Sequence, residues 1–273
     1  MIVSIITINR NNATGLEKIM QSVFSQTCRN YEYIIVDGAS TDTSVQVIQR
    51  FAHLFGDRLK WVSESDSGIY NAMNKGLKMA SGQYVEFLNS GDYLASGDVI
   101  ERVLAALGDN GFPSILYGNM NKSFGNGVCC QDKGFAGKDI SFLMFYKGTM
   151  NHPSAFIRKD LFDKYGQYDE TLRIVSDWKW FLQAIALGEE EPVYADIDVS
   201  VFDMNGISES NKSLASKERK TVLDQLIPKS ILVDYEDWSS PISQIRRLKR
   251  HPWAYKIVWF LDRVLFKIEK LKR

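Results

Sequence analysis

Short apolar runs alternate with segments of helical periodicity through the first half of the chain. Leu16, Ile19, Met20 and Val23 are spaced to share one face of a helix, whereas short apolar runs between turn formers are typical of buried strands. Such alternation predicts βαβ units and a mostly parallel sheet. The predicted strands are 3–7, 33–37, 59–63 and 84–88, and the predicted helices are the one through Leu16, 44–55 and 69–80.

The alternation weakens in the second half, where shorter and more polar segments predict an elaboration of the same domain. We therefore expect one domain over 1–210, with a first half at 1–118 and a second half at 119–210, followed by a helical extension at 211–273. The pattern predicts helices at 98–107, 161–165, 176–186 and 213–226, strands at 115–118 and 193–201, and a Gly-rich stretch at 120–137 that suits a loop or an antiparallel edge.

The composition is that of an ordinary globular protein, with 45% hydrophobic and 24% charged residues. No stretch approaches the roughly 20 consecutive apolar residues that span a bilayer. Residues 1–7 are typical of a first strand rather than of a cleaved leader. From these features we expect a cytoplasmic protein.

The zero net charge hides an uneven distribution along the chain. Residues 245–273 hold ten Lys and Arg against two acidic residues, which leaves 23 basic and 31 acidic residues for positions 1–244. Nucleic-acid binding needs clustered basic side chains to neutralise phosphates. The acidic main domain therefore argues against a nucleic-acid partner.

The basic tail also carries Trp253, Trp259 and Phe260 on a helical pattern that begins at Pro252. Basic and aromatic residues on one helix suit the surface of an anionic membrane, which would place the protein peripherally on the inner face. A helix that packs its apolar face on the main domain, or on a second subunit of a homodimer, fits the same pattern. The sequence leaves both interpretations open.

Polar residues follow the ends of the first four predicted strands. Ligands of open parallel sheets bind outside the carboxyl ends of the strands, so these polar segments predict one cleft. Carboxylates and amides suit a ribose, a base edge and a divalent cation better than an apolar ligand. The polar segments are 7–11, 37–42, 64–68 and 89–92.

Seven segments, in order along residues 1–210, resemble the family 2 glycosyltransferases of the GT-A fold. Their order carries the resemblance, since each segment alone is a weak signal. The segments are the strand 3–7, Ser25-Gln26-Thr27, the strand 33–37, the segment 66–76, Asn89-Ser90-Gly91-Asp92, Asn151-His152-Pro153 and Ser176-Asp177-Trp178.

The resemblance implies an α/β fold of the GT-A type with a mostly parallel central sheet, followed here by the helical tail. It also implies an inverting transfer of a sugar from a nucleotide diphosphate donor, a UDP-sugar here, to a glycan or lipid-linked glycan acceptor in cell-surface polysaccharide biosynthesis. The implied cofactor is Mg²⁺ or Mn²⁺.

The resemblance implies that Asp37 accepts a hydrogen bond from the base, with Thr7 and Asn9 beside the same nucleoside. An alternative is that Asp37 closes the turn after its strand, as Asp residues often do. The family often has a second acid where this chain has Gly38, which leaves the identity of the base open.

The segment that opens the predicted helix 69–80 is the second candidate donor site. Free N–H groups at a helix N-terminus favour a phosphate, and Asp66 can also cap the helix. Asn71 and Lys75 lie four residues apart on one helix face, so we expect them either to point together towards the donor or, for Lys75, to stay in solvent.

The segment Asn89–Asp92 occupies the position of the family's metal motif. A hard divalent cation takes one or two carboxylates together with substrate phosphates. The resemblance therefore implies Asp92 as a metal ligand and Asn89 as a donor contact, although a plain turn fits these residues as well. His152 is placed near the metal by the same resemblance, with a structural histidine as the alternative.

Asp177 corresponds to the general base of inverting members of the family. A carboxylate that faces the acceptor hydroxyl can take its proton as the bond to the anomeric carbon forms. The alternative is a helix cap by Asp177 or Ser176.

Two other classes of protein remain open at this stage. The non-acidic residues Gly38, Asn89 and Gly91 fit a catalytically silent nucleotide-sugar-binding or assembly subunit of a polysaccharide machine. A nucleotidyltransferase would share the sheet but would need a Gly-rich, basic loop after the first strand, which Arg10-Asn11-Asn12 does not provide.

Overall fold

The computed structural model describes residues 2–124, 129–204 and 211–271. The chain divides into two compact units, Met1–Arg219 and Lys220–Arg273. All the candidate site residues lie in the first unit. In the described part of the chain, no helix is both long enough and apolar enough to cross a membrane.

Nine strands of the described residues form one sheet in the order β3-β2-β1-β4-β8-β6-β9-β5, with β7 paired to β6. The strands β1 to β4 are parallel where they pair with one another, and β6 pairs parallel with β9. The strands are β1 Val3–Asn9, β2 Tyr31–Asp37, β3 Leu59–Ser63, β4 Tyr84–Phe87, β5 Tyr93–Leu94, β6 Ile115–Ser123, β7 Cys129–Asp132, β8 Ala155–Arg158 and β9 Val193–Asp203.

The helices alternate with the strands in the first half and become shorter in the second. Most have one buried face, as the amphipathic pattern predicts. They are α1 Ala13–Phe24, α2 Ser44–Phe55, α3 Ile69–Met79, α4 Val99–Asp109, α5 Phe142–Lys147, α6 Leu161–Tyr165, α7 Ser176–Phe181, α8 Lys212–Leu226, α9 Lys229–Lys249 and α10 Pro252–Leu271.

The main core lies on the face of the sheet where the apolar sides of α1, α2 and α4 are buried. Every residue of β2 is buried, and the inward positions of α1 are the Leu16, Ile19, Met20 and Val23 of the helical pattern. Burial of large aliphatic side chains contributes roughly 1.5–3 kcal/mol each before entropy is counted. This core fixes the carboxyl ends of β1 and β2 side by side.

The α/β fold class is confirmed, and the parallel arrangement describes the first half of the sheet. In the second half, β8 is inserted between β4 and β6 and runs antiparallel to both. Within the stretch 120–137, β6 continues to Ser123 and pairs antiparallel with the edge strand β7, and residues 134–137 form a turn. Residues 125–128 of that stretch lie outside the described residues.

Glu86 is an unusual acid in the middle of the sheet. It lies in register with Ile5, which is itself in register with Tyr33, so the three side chains share the core face. The carboxyl group is fully buried and, among the described residues, neither oxygen has a hydrogen-bond partner. Burial raises the pKa of Glu86 to about 8.

We expect Glu86→Gln to flatten the dependence of stability on pH. Between the unfolded pKa of 4.5 and the folded pKa of about 8, the folded state holds the proton and the unfolded state does not. The free energy of unfolding therefore falls as pH rises, by about 1.4 kcal/mol per pH unit for a single such group. Thermal melts at several pH values should show this fall for the wild-type protein and a smaller one for Glu86→Gln. Glu64→Gln, at an exposed position, is the control and should keep the wild-type slope.

Candidate active site

Asp37 lies at the end of β2, in register with Asn9 at the end of β1. One carboxylate oxygen accepts hydrogen bonds from Nδ2 of Asn9 at 2.8 Å and from the hydroxyl of Ser40 at 2.5 Å. The other accepts from the backbone N–H of Ser40 at 2.9 Å and the hydroxyl of Ser63 at 2.7 Å. Burial alone would raise the pKa of Asp37, but these donors hold it below its ordinary value.

Asp37 and Thr7 support the cleft in this structure, since both are fully buried. The Thr7 hydroxyl donates to the carbonyl of Leu88 at 2.7 Å and accepts from Tyr33 at 3.0 Å. The arrangement of Asp37 is the turn closure that the sequence left as an alternative. Contacts of Thr7 and Asp37 with a nucleoside therefore stay predictions. Asn9 is buried as well, and its Oδ1 has no hydrogen-bond partner among the described residues.

Asp66 lies against Gly38, at the position where the family often has a second acid. A methyl group built onto Gly38 would overlap Oδ2 of Asp66, while Oδ1 of Asp66 accepts the N–H of Gly68 at 3.0 Å. The Asp66 carboxylate therefore occupies the space beside Gly38 and would have to move to admit a side chain there. The structure brings a second carboxylate to this place from a different strand end.

The polar side chains of α3 bind the segment that precedes α7. Nδ2 of Asn71 donates to Oε2 of Glu170 at 2.8 Å, and Nδ2 of Asn74 donates to Oε1 of the same residue at 2.8 Å. Lys75 instead donates to the carbonyl of Ser65 at 2.8 Å. Oδ1 of Asn71 accepts the N–H of Ser67 at 3.3 Å, so both side chains bond the segment that opens α3. Their contact with a donor stays a prediction.

The segment Asn89–Asp92 forms a tight turn after β4. Gly91 has φ +110°, which side chains rarely adopt, and the N–H of Asp92 donates to the carbonyl of Asn89 at 3.0 Å. Oδ1 of Asn89 is buried and has no hydrogen-bond partner among the described residues. The turn therefore directs the side chain of Asp92 inward and leaves the amide oxygen of Asn89, in the same turn, unpaired.

Asp203 is a carboxylate beside Asp92 that the sequence analysis missed. Its N–H donates to Oδ1 of Asp92 at 3.0 Å. Burial, followed by the charge of Asp203, raises the pKa of Asp92 to about 7. Asp203 ends β9 two residues after the predicted strand, so a search of that strand end, as for the first four, would have found it.

Two neighbouring carboxylates fit a divalent cation, which prefers oxygen ligands and would offset their repulsion. Within residues 2–124, 129–204 and 211–271, no group of three or more His, Cys, Asp or Glu residues could hold a metal by itself. A cation at Asp92 and Asp203 would therefore need ligands from a diphosphate or water.

His152 is enclosed by aromatic rings rather than directed to the carboxylate pair. Its ring stacks on Phe87 at 5.3 Å between centroids, and its Nε2 lies 2.8 Å from the hydroxyl of Tyr168. Burial lowers its pKa. This environment is the structural histidine that the sequence left as an alternative, and a metal-ligand role for His152 stays a prediction without a contact that supports it here.

Asp177 is a half-buried carboxylate in the first turn of α7. Its Oδ1 accepts a hydrogen bond from the hydroxyl of Tyr70 at 2.8 Å. The guanidinium of Arg219 lies 5.0 Å from the ring centroid of the neighbouring Trp178. Burial lowers the pKa of Arg219, and the charge of Asp177 acts in the opposite direction. Asp177 therefore combines access to solvent with a fixed phenol and a nearby positive charge.

Glu218 of α8 is a second residue that the sequence analysis missed. Its carboxylate accepts the backbone N–H groups of Arg173 at 2.8 Å, Ile174 at 3.0 Å and Val175 at 3.2 Å. Three consecutive donors to one carboxylate fix the backbone immediately before Asp177. The sequence signal was absent, because Glu218 lies in a polar helix some 40 residues away from the segment that it binds.

The mixed α/β sheet and its flanking helices have the GT-A fold. The sequence profile described as Glycosyl transferase family 2 matches residues 4–166. The chain belongs to glycosyltransferase family 2, as the sequence motifs predicted.

Two mycobacterial relatives are similar over most of the chain. A PGL/p-HBAD biosynthesis glycosyltransferase of Mycobacterium bovis (strain BCG / Pasteur 1173P2) is 28% identical, with 88% of this chain and 92% of that protein covered. An uncharacterized glycosyltransferase of Mycobacterium tuberculosis (strain ATCC 25618 / H37Rv) is 32% identical, with 75% and 76% covered. Both have names that agree with the family.

Two solved structures share the fold. TarS 1-349 of S. aureus in complex with UDP-GlcNAc has a TM-score of 0.64 and 20% identity, with 77% of this chain and 61% of that chain covered. The mannosyltransferase PcManGT of Pyrobaculum calidifontis in complex with GDP-Man and Mn²⁺ has a TM-score of 0.58 and 18% identity, with 73% and 56% covered. This chain thus spans about three fifths of either structure's length.

Proposed function

We propose that this glycosyltransferase moves a sugar from a UDP-sugar to a hydroxyl of a glycan or lipid-linked glycan, with inversion at the anomeric carbon. The observation that carries the proposal is the half-buried carboxylate of Asp177, which keeps some access to solvent and is fixed by Tyr70 at 2.8 Å. A positioned carboxylate with access to solvent is what a general base for an acceptor hydroxyl requires. The complexes of TarS with UDP-GlcNAc and of PcManGT with GDP-Man support a nucleotide diphosphate donor.

In the proposed reaction, the acceptor hydroxyl gives its proton to Asp177 while its oxygen bonds to the anomeric carbon. The bond from that carbon to the diphosphate breaks on the opposite face, so a single displacement inverts the centre. Asp92 and Asp203 would hold Mg²⁺ or Mn²⁺, which supplies Lewis-acid neutralisation of the diphosphate charge. Asp66, beside the buried Asp37 turn, is the polar group proposed to meet the nucleoside.

An assay of donor turnover tests this function against the catalytically silent alternative. The protein is incubated with UDP-sugars and GDP-mannose, with Mg²⁺, Mn²⁺ or a chelator, and released nucleotide diphosphate is measured. Proton NMR of the product then gives its anomeric configuration. Metal-dependent release from a UDP-sugar with an inverted product supports the proposal. Binding of the donor without any release supports the silent subunit, and a retained configuration contradicts the role of Asp177.

We also propose that the enzyme works at an anionic membrane surface, to which α10 binds. At 3.6 residues per turn, one face of α10 is apolar and Lys256, Arg263 and Lys267 form a basic stripe along its edge. The apolar side chains of α10 are exposed in the structure, Trp253 by 70% and Leu265 by 60%. An exposed apolar face with an adjacent basic stripe matches an interface of acyl chains and anionic headgroups. This placement at the inner face of the membrane brings the site to a lipid-linked acceptor.

We expect the triple variant Lys256→Glu, Arg263→Glu and Lys267→Glu to lose binding to vesicles that contain phosphatidylglycerol. Each basic residue near an anionic surface contributes about 1 kcal/mol, so the loss should exceed tenfold in partition coefficient. Co-sedimentation measures it, and pure phosphatidylcholine vesicles should bind the wild-type protein weakly.

The matched control is Leu54→Glu, which alters an exposed leucine of α2, whereas Leu261→Glu alters one of α10. Only Leu261→Glu should reduce vesicle binding. A different result would assign the apolar face to a second copy of the chain. In that case the wild-type protein would not bind the anionic vesicles and would be a dimer, and Leu261→Glu would be a monomer.

A further inference from the structure

Tyr70 joins the first half of the domain to the segment that carries Asp177. Its side chain is 5% exposed and belongs to the second residue of α3. The phenol oxygen lies 2.7 Å from the carbonyl of Ile174 and 2.8 Å from Oδ1 of Asp177. Its ring lies 5.7 Å from that of Tyr168. The hydroxyl is therefore held at the base by the packing of the ring.

The phenol has one proton for two acceptors. Burial and the charge of Asp177 raise the pKa of Tyr70 well above its ordinary value, so the phenol keeps its proton throughout the neutral range. A hydrogen bond to an ionised carboxylate is stronger than one to a neutral carbonyl. The proton is consequently directed to Oδ1 while Asp177 is ionised, and the carbonyl of Ile174 is the other acceptor within reach.

We propose that Tyr70 is a positioning residue, which binds Oδ1 of Asp177 and so presents Oδ2 to the acceptor hydroxyl. This inference rests on the proposed function of Asp177 as the base. The acceptor proton passes to Oδ2, and the phenol gains and loses none. Because α3 begins directly after the segment Asp66–Gly68 that is predicted to meet the donor, Tyr70 also links the donor side of the cleft to the base.

We expect Tyr70→Phe to lower kcat for transfer by roughly tenfold or more, the scale on which misplaced catalytic groups reduce rates. The ring and its packing remain, so the KM for the donor and metal-dependent binding of UDP should stay within about twofold of wild type. Steady-state transfer kinetics with both substrates varied, and calorimetric titration with UDP and Mn²⁺, measure the two effects. A purely structural role would lower the melting temperature without this separation of kcat from KM.

The matched control is Tyr31→Phe, at the first residue of β2 and away from Asp177. It removes another buried phenol hydrogen bond, which Tyr31 donates to the carbonyl of Val23 at 2.7 Å. It should lower the melting temperature to a similar degree and leave kcat unchanged. An unchanged kcat for Tyr70→Phe overturns the proposal, as does an equal fall of kcat for Tyr31→Phe.

The double variant of Tyr70→Phe and Asp177→Asn separates this inference from the proposed function. If Tyr70 acts through Asp177, its loss should add little to the loss of Asp177 itself. If the reductions of kcat in the two single variants instead add up in the double variant, Tyr70 does not act by positioning Asp177. If Asp177→Asn by itself retains transfer, Asp177 is not the base. If Asp177→Asn loses transfer but Tyr70→Phe keeps the wild-type kcat, only the positioning role of Tyr70 is refuted.

Discussion

Replacing Asp177 by asparagine is expected to slow sugar transfer by roughly 10²–10⁴-fold, the range for loss of a general base. Asparagine keeps the size of the side chain and an oxygen that accepts the Tyr70 hydrogen bond, but its amide cannot take a proton from the acceptor. Because Asp177 is not part of the pair Asp92 and Asp203, titration with UDP and Mn²⁺ should give the wild-type affinity. Transfer kinetics and calorimetry on the same samples measure both quantities.

Asp163→Asn is the control for this experiment, since Asp163 is an exposed carboxylate of the short helix α6. It should transfer sugar at the wild-type rate. Near-normal transfer by Asp177→Asn would remove Asp177 from catalysis. Weaker binding of UDP by the same variant would mean that the carboxylate serves the donor instead.

Asp92→Asn is expected to weaken Mn²⁺-dependent binding of UDP by at least tenfold and to reduce transfer with it. The change removes one of two neighbouring carboxylates, and the affinity of a hard cation depends on the number of charged oxygen ligands. The amide oxygen can still accept the N–H of Asp203, so the turn and the fold should persist. Calorimetric titration of UDP at several Mn²⁺ concentrations measures the loss, and excess Mn²⁺ should restore part of the binding.

Asp203→Asn should fail in the same way as Asp92→Asn, because the two carboxylates are proposed to share one cation. Asp132→Asn, which alters a carboxylate paired with Lys122 at 2.6 Å, is the control and should bind UDP normally. Unchanged metal-dependent binding by Asp92→Asn would locate the cation elsewhere. Weakened binding that is equal with and without Mn²⁺ would show that Asp92 acts on the donor without a metal.

The positions of the Asp66 and Asp203 carboxylates argue against the alternative of a catalytically silent nucleotide-sugar-binding subunit. The sequence lacks acids at Gly38, Asn89 and Gly91, and this absence motivated that alternative. In the structure Asp66 packs on Gly38, and a methyl group built onto Gly91 would lie 3.9 Å from Oδ2 of Asp203. Acids from other strand ends thus lie where the motif lacks them, which favours an active enzyme.

The sequence by itself determined the elements of the first half and the family. Burial repeats along the chain with the period of each element, so α2 and β3 were predicted with the bounds that the structure gives them, Ser44–Phe55 and Leu59–Ser63. The family motifs predicted the α/β fold and the glycosyltransferase class, and both are confirmed. The strand β8 lies outside the alternation of strands and helices that marks the first half, and the sequence did not predict it.

Only the tertiary structure decided which polar residues meet. Tyr70 and Asp177 are separated by 107 residues, and Asp92 and Asp203 by 111. Such contacts depend on how helices and strands pack, and side-chain periodicity contains no information about them. For the same reason the sequence could assign Asp37, Asn71 and Lys75 to their elements but could not foresee that each already has a protein partner. Local pattern determines elements, whereas the contacts of a site are set by the packing of elements far apart in the chain.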